Sequence, residues 1–283
     1  MIKNAPEAFK QRLIDLFNNI LKTSTIPHVW KRSNIICIPK PTKNKLEPES
    51  YRPISLISCT SKLLEKIIAK RIAWFLTQNN LIHVKQTGFK QNSSTTDALI
   101  HIEYFNNITI TISSRNHCSI FSIDFEKAFD KIGIHTILGQ LKEWNVGKNI
   151  FNYVKAFLSN RTFSVRANGH FSKLTKLDNG IPQGSPLSVI LFLIAFEKIN
   201  QIMKNHKQIH HCLYADDFYL FAKTKNPQEV QTSLNKIFID LSKWCKISGA
   251  SISQEKSKHL HICRKNRCFI DQFQINSAAF TNV

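Results

Sequence analysis

Apolar positions along the chain fall into two periods. From Ala8 to Lys22 they recur at Leu13, Leu16, Phe17, Ile20 and Leu21, one face of a helix. Leu64, Ile67, Ile68, Ile72, Phe75 and Leu76 mark a second amphipathic helix, with Lys66, Lys70 and Arg71 beside it as candidate phosphate contacts. Further helices are predicted over Thr95 to Phe105, Ile134 to Trp144 and Ile150 to Leu158. Asn226-Pro227-Gln228-Glu229 has the grammar of a helix start: a capping residue, a first-turn proline, a glutamate three on. Val230, Leu234, Ile237, Phe238, Leu241 and Cys245 form the buried face that follows. Shorter β-branched and aromatic runs read as strands. They are Ile35 to Ile38, Cys118 to Asp124, Thr162 to Ala167, Leu174 to Leu177, Ile209 to Leu213, Phe218 to Ala222, Ile252 and Lys258 to Ile262. The apolar run Leu187 to Phe196 is ten residues long. That falls short of the ~20 needed to cross a bilayer and predicts a buried helix. Helices alternating with strands in this way predict an α+β fold with an antiparallel sheet.

Composition narrows the function classes. With 283 residues the chain can bury a real core, as one large or two small domains. Lys and Arg number 39 against 19 Asp and Glu, a net charge of +20. That excess suits a polyanionic partner and salt-dependent binding, although a merely soluble basic protein shows the same balance. Seven cysteines, an odd number without a paired framework, fit a reducing compartment. The N-terminus lacks the apolar core of a secretory signal, so an intracellular protein is expected. His259, His261 and Cys263 share a strand face and Cys268 follows. Zinc takes these residue types, but the spacing matches no familiar finger, and ordinary strand and loop residues are expected.

The chemistry is concentrated in three segments. Tyr214-Ala215-Asp216-Asp217 lies between two strands. In a plain strand the two aspartates would point to opposite faces, whereas at a hairpin turn both reach one pocket. An isolated pair of this kind reads as a solvated acidic turn. A second acid, Asp124, ends the strand from Cys118. Alternation puts Cys118, Ile120, Ser122 and Asp124 on one face. Together the three carboxylates suit a two-metal clamp for phosphoryl transfer, with ions about 3.5–4 Å apart. Gly180-Ile181-Pro182-Gln183-Gly184-Ser185-Pro186 is a loop of restricted shape that feeds the apolar run and could present Gln183 to a base or backbone.

In order, these segments resemble the reverse transcriptase family: Phe121-x-Ile123-Asp124-x-x-x-Ala128-Phe129-Asp130, the Gln183 loop and the Tyr214 hairpin. The likeness is to the polymerase domain of non-LTR (LINE-type, jockey-like) retrotransposons and runs from about Ile20 to Val283. Tyr51-Arg52-Pro53-Ile54-Ser55-Leu56 and Gln86-Thr87-Gly88-Phe89 are similar to its finger motifs, and Gly249 to Ser257 to its lysine segment beyond the palm. Lys90, where arginine is more usual, is a mild departure.

The resemblance implies an RNA-directed DNA polymerase that adds dNTPs to a primer 3′-hydroxyl. It implies a right-hand architecture with a helical lead-in over 1–34 and a reverse transcriptase domain over 35–283. Residues 35–115 are expected to be mainly fingers and 116–283 mainly palm, with the chain ending before the primer grip and thumb. Asp124, Asp216 and Asp217 are implied to hold two Mg²⁺ ions, or Mn²⁺ in their place, with the Phe125 carbonyl. Lys40 and Arg52 are implied to bind triphosphate, Gln183 and Gly184 to contact nucleotide or template, and Lys256 to protonate pyrophosphate. Phe129 takes the place of an aromatic sugar gate, or is a core phenylalanine. The expected partners are an RNA template and a DNA primer, with no membrane, in nucleus and cytoplasm. The oligomeric state stays open. The competing expectation is a truncated, inactive relic that only binds nucleic acid.

Overall fold

A computed structural model of the chain describes residues 4–41, 43–90, 93–101, 103, 117–167, 169–224, 227–262, 274–275, 278–279 and 281–282. These form two compact units that interleave along the sequence, residues 1–81 with 134–192 and residues 82–133 with 193–283.

In the first unit, α1 (Glu7–Thr23) buries Phe17 and Ile20, while Leu16 lies at the edge of that face and is 39% exposed. The short α2 (His28–Lys31) leads into β1 (Arg32–Pro39), longer than the four-residue apolar run predicted because polar residues 32–34 extend the pairing. β2 (Tyr51–Leu56) returns antiparallel to β1. Next comes α3 (Cys59–Gln78), with Ser58 as its cap: the Ser61 N–H donates to the Ser58 hydroxyl. Its buried stripe is Ser61, Leu64, Glu65, Ile68, Ile72 and Leu76.

β4 (Arg161–Ala167) pairs parallel with β1, and β5 (His170–Phe171) and β6 (Thr175–Leu177) pair antiparallel with β4. This ladder ties residues 134–192 to the N-terminal segment. Local periodicity cannot reveal it, because a parallel partner lies more than a hundred residues away. α6 (Ile134–Glu143) and α7 (Lys148–Leu158) bury Ile137, Leu141, Val154, Phe157 and Leu158.

The second unit is built on a sheet of order β12-β9-β3-β8-β7. Its strands are β3 (His117–Phe125), β7 (His210–Tyr214), β8 (Asp217–Thr224), β9 (Ile252–Ile262) and β12 (Thr281–Asn282). All neighbours pair antiparallel except β12 with β9. β10 (Gln274–Ile275) and β11 (Ala278–Ala279) pair antiparallel as a separate two-stranded sheet. Helix α4 is described at residues 95–101 and 103; Phe105, the expected end, lies outside the described residues. Ala98 of this helix packs with Cys212 and Phe221. α5 (Ala128–Lys131) follows β3, and α9 (Pro227–Ser248) buries Val230, Leu234, Ile237, Phe238, Leu241 and Trp244. Cys245, expected on that face, is only half-buried.

α8 (Pro186–Met203) runs beyond the predicted ten residues, because Ile199 and Met203 continue its buried stripe. At 18 residues and a mean hydropathy of 1.4 it meets the length and composition of a membrane span, yet 67% of it is buried in the fold, as in a core helix. Phe196 meets Phe125 and Trp244 edge to face, with ring centroids 5.1 and 5.4 Å away.

Candidate active site

The β7–β8 hairpin turns through two residues, Ala215 and Asp216, since Tyr214 pairs directly with Asp217. Ala215 has φ +55, a left-handed conformation that costs a non-glycine residue roughly 1–2 kcal/mol. A positive φ at the first turn position matches the twist of a tight hairpin. Neighbouring backbone holds the turn in place. Residues 85–88 run beside β7, where the Thr87 N–H donates to the Leu213 carbonyl and the Leu213 N–H donates to the Lys85 carbonyl, both at 2.9 Å. Gln86 thereby bridges to Leu213 in parallel, and Gly88 packs against the turn itself.

β3 brings the third acid. Its last pair with β8 is Ile123 opposite Phe218, which puts Asp124 level with Asp217. Partial burial pushes the Asp216 carboxyl up from the usual range, and Asp124's negative charge adds to the push while Lys256 opposes it. Asp217 is raised by burial, then by the charges of Asp216 and Asp124. Both hairpin acids still reach solvent. Three accessible, mutually repelling carboxylates are a natural acceptor for a hard cation.

Lys256 arrives by an irregularity in β9. Ser122 pairs with Lys258 but Asp124 pairs with Ser253, so residues 254–257 bulge opposite Ile123 alone. The bulge delivers the Lys256 ammonium to 3.4 Å from the Asp124 carboxylate. Ser257, at its base, accepts the Asp124 N–H at 3.3 Å and donates to the Ser253 carbonyl at 2.6 Å. Bulges re-aim side chains in this way beside functional sites. The two terminal strands expected at Ile252 and Lys258 to Ile262 are therefore one strand with a bulge.

Phe125 points its ring into the core, 3% exposed. Phe129, on α5, is half-buried and meets Phe89 edge to face at 6.3 Å. Phe89 itself has φ +58. Carboxylate and carbonyl oxygens are the right donors for Mg²⁺. Among the described residues no group of three or more His, Cys, Asp or Glu is placed to hold a metal ion, so the three acids by themselves do not form a metal cage. Mg²⁺ does not need one, because it takes one or two carboxylates together with substrate phosphate and water. Of the other candidate ligands, His259 is buried and stacked on Phe121 at 4.6 Å. Cys263 and Cys268 lie outside the described residues.

Also in the second unit, a buried polar network backs β7. Asn200 donates its amide to the Glu197 carboxylate at 2.8 Å, so its carbonyl oxygen is left to accept from His211 Nε2 at 2.9 Å. His211 Nδ1 then accepts from the Lys85 ammonium at 3.5 Å. Glu197 also accepts the His83 N–H at 3.2 Å.

The remaining predicted residues belong to the first unit. The Lys40 ammonium donates to the Glu49 carbonyl at 2.8 Å, and its N–H donates to the Ser50 carbonyl at 2.7 Å, closing the loop before β2. Arg52 is exposed on β2 opposite Ile38. Three residues on, the Ser55 N–H donates to the Gln183 carbonyl at 2.7 Å. Gly184 has φ +112, and a Cβ there would lie 2.8 Å from the Ser55 carbonyl oxygen. The Gln183 loop is thus pinned to the strand that carries Arg52.

Sequence reading missed Glu65 and the bracing role of Gly88. Glu65 carried a usable signal: an acid within the apolar stripe from Leu64 to Ile68.

A family model described as reverse transcriptase (RNA-dependent DNA polymerase) matches residues 38–276. The probable RNA-directed DNA polymerase from transposon BS of Drosophila melanogaster is 29% identical over 246 residues, covering 86% of this chain and 27% of that protein. The RNA-directed DNA polymerase from mobile element jockey of the same species is 25% identical, over 90% of this chain and 28% of that protein. The chain thus spans just over a quarter of the length of these curated relatives. Among solved structures, telomerase from Candida albicans with a fragment of telomeric RNA aligns with a TM-score of 0.63 at 13% identity, over 93% of this chain and 47% of that one. Apo telomerase from Candida tropicalis, truncated from its C-terminal domain, aligns at 0.60 and 14% identity, over 88% and 55%. At such identities the likeness establishes the fold, that of right-hand polymerases.

Proposed function

Because this chain belongs to the reverse transcriptase family, with relatives in the polymerases of non-LTR transposons, we propose that it carries the nucleotide-adding centre of such an enzyme. Its substrates on this reading are an RNA template, a DNA primer and dNTPs. The observation that carries the proposal is the meeting of Asp124 with the Asp216–Asp217 turn, where the charge of Asp124 adds to the proton affinity of both hairpin acids beside the Lys256 ammonium.

Asp124 and Asp216 are assigned as ligands of divalent ions, Mg²⁺ or Mn²⁺, with the Phe125 carbonyl, and Asp217 supports them by charge. When bound, two such ions lower the pKa of a primer hydroxyl and stabilise the charge of the triphosphate and departing pyrophosphate. Lys256 supplies a proton to the leaving group from its place beside Asp124. Arg52 binds phosphate through its planar fork and Lys40 as a point charge. Gln183 and Gly184 present the loop to the nucleotide or template. Phe129 packs under the sugar and excludes a 2′-hydroxyl.

Primer extension on an RNA template with Mg²⁺ and dNTPs tests this, with Asp216→Asn as control. Extension by the wild type and none by the variant supports it. Nucleic-acid binding without extension by either protein favours the inactive relic.

A further inference from the structure

We infer that Glu65 is a positioning residue for the Gln183 loop, acting through the hydroxyl of Ser185. The inference rests on the assignment of that loop to the nucleotide.

Glu65 is fully buried on α3, 0% exposed, on the same stripe as Leu64 and Ile68. A carboxylate in such surroundings is costly unless both oxygens are hydrogen-bonded. Both are. One accepts the hydroxyl of Ser61, a turn earlier on the same helix, at 2.6 Å; the other accepts the hydroxyl of Ser185 at 2.5 Å. Arg161, 2% exposed, lies within electrostatic range, and Glu65 holds its guanidinium charged against the opposing effect of burial.

The direction of the Ser185 bond follows from counting. Its oxygen accepts the N–H groups of Leu187 and Ser188 at 3.1 and 3.3 Å, which caps the first turn of α8 and occupies both lone pairs. The hydroxyl hydrogen is then committed to Glu65. Two residues before Ser185, the Gln183 carbonyl takes the Ser55 N–H. The loop is therefore held on one side by a strand backbone and on the other by a buried acid. Between those anchors the backbone positions of Gln183 and Gly184 have little freedom. An anchor made of charge-assisted bonds is stronger than a neutral contact. Ser61 is the internal control, since it bonds the same carboxylate without touching the loop.

The test combines hydrogen–deuterium exchange with steady-state extension on the full chain. Glu65→Met removes the acceptor while keeping volume, and Glu65→Gln keeps an acceptor without the charge. Faster exchange at residues 185–188 in Glu65→Met, with the KM for dNTP raised about tenfold and nucleic-acid binding unchanged, supports the inference. Glu65→Gln is expected to fall between that variant and the wild type. Ser185→Ala should raise KM like Glu65→Met, and the double variant should be no worse than either single one, whereas Ser61→Ala should leave KM alone. Unchanged exchange at 185–188 in Glu65→Met overturns the inference, as does an equal rise in KM for Ser61→Ala and Ser185→Ala. Faster exchange with a wild-type KM instead removes the assignment of the loop to the nucleotide. If the wild type extends no primer, the polymerase reading fails while the exchange result still decides whether Glu65 holds the loop.

Discussion

Gly88 and Ala215 are in such close contact that a Cβ on Gly88 would sit 2.0 Å from the Ala215 nitrogen. The neighbouring atoms, the Tyr214 carbonyl carbon and Ala215 Cα at 2.7 and 2.9 Å, are backbone as well. No side-chain rotation can relieve such a clash. The close approach lets residues 85–88 brace a turn whose Ala215 already holds a disfavoured φ.

Gly88→Ala is accordingly expected to displace the acid-bearing turn, destabilising the fold by roughly 1–3 kcal/mol and lowering primer extension at least tenfold. Melting and extension assays on the same preparation check this. Near-normal extension would mean that the turn tolerates movement.

Asp217→Asn removes one of three repelling charges. The expectation is an unchanged or slightly raised melting temperature, by about 2 °C, together with a steep loss of extension. A drop in both would point to a structural role for the carboxylate.

Lys256→Ala should slow nucleotide addition by roughly 10²-fold, the low end for a lost general acid, with primer–template binding retained. Lys256→Arg keeps the charge beside Asp124 but donates a proton poorly, so it should recover little of the rate. A full-rate Lys256→Ala enzyme would end that assignment.

Phe129→Val or Phe129→Ala should raise ribonucleotide incorporation relative to deoxynucleotide. Phe89→Ala should do so to a lesser extent, because Phe89 supports the Phe129 ring edge to face. An unchanged ratio in the Phe129 variants leaves Phe129 as a packing residue only.

Two buried groups set opposing pH dependences of stability. Burial pushes Glu197 up to about 7, against the N–H donors of Asn200 and His83 and the charges of Lys204 and Lys90. Burial drives His211 down to about 3, with Lys85, His83 and His210 adding to it. Between the ordinary carboxyl value of 4.5 and about 7, folded Glu197 keeps a proton that the unfolded chain releases, so its contribution falls as pH rises. Between about 3 and the ordinary 6.5, the unfolded chain protonates this histidine and the folded one does not, so its contribution rises with pH. Across pH 4.5 to 6.5 the two offset one another. Glu197→Gln removes the first, and denaturant midpoints should then climb with pH over that window. Parallel pH profiles for variant and wild type would refute this account.

The pattern Leu64, Ile68, Ile72, Leu76 was legible because a helix writes its buried face into local spacing, and the acids at 124, 216 and 217 stood out because packing does not call for them. Less was visible where partners are distant in sequence. The parallel pairing of β1 with β4 has no local trace. Nor does the bulge at 254–257, since an extra stretch of strand is recognised only against the strand it fails to match. The acid in the stripe at Glu65 was visible, but its role was not: its partners Ser185 and Arg161 lie 120 and 96 residues away.

By itself, the order of residues determined the family, the alternation of helices and strands, and the identity of the acids at the hairpin. Tertiary structure alone decided which unit each segment joined, how Lys256 reached Asp124, and that Gly88 and Glu65 brace the turn and the loop. Side-chain chemistry and short-range period are written along the chain. Register, close backbone contact and the pairing of a buried charge depend on neighbours that only folding brings together.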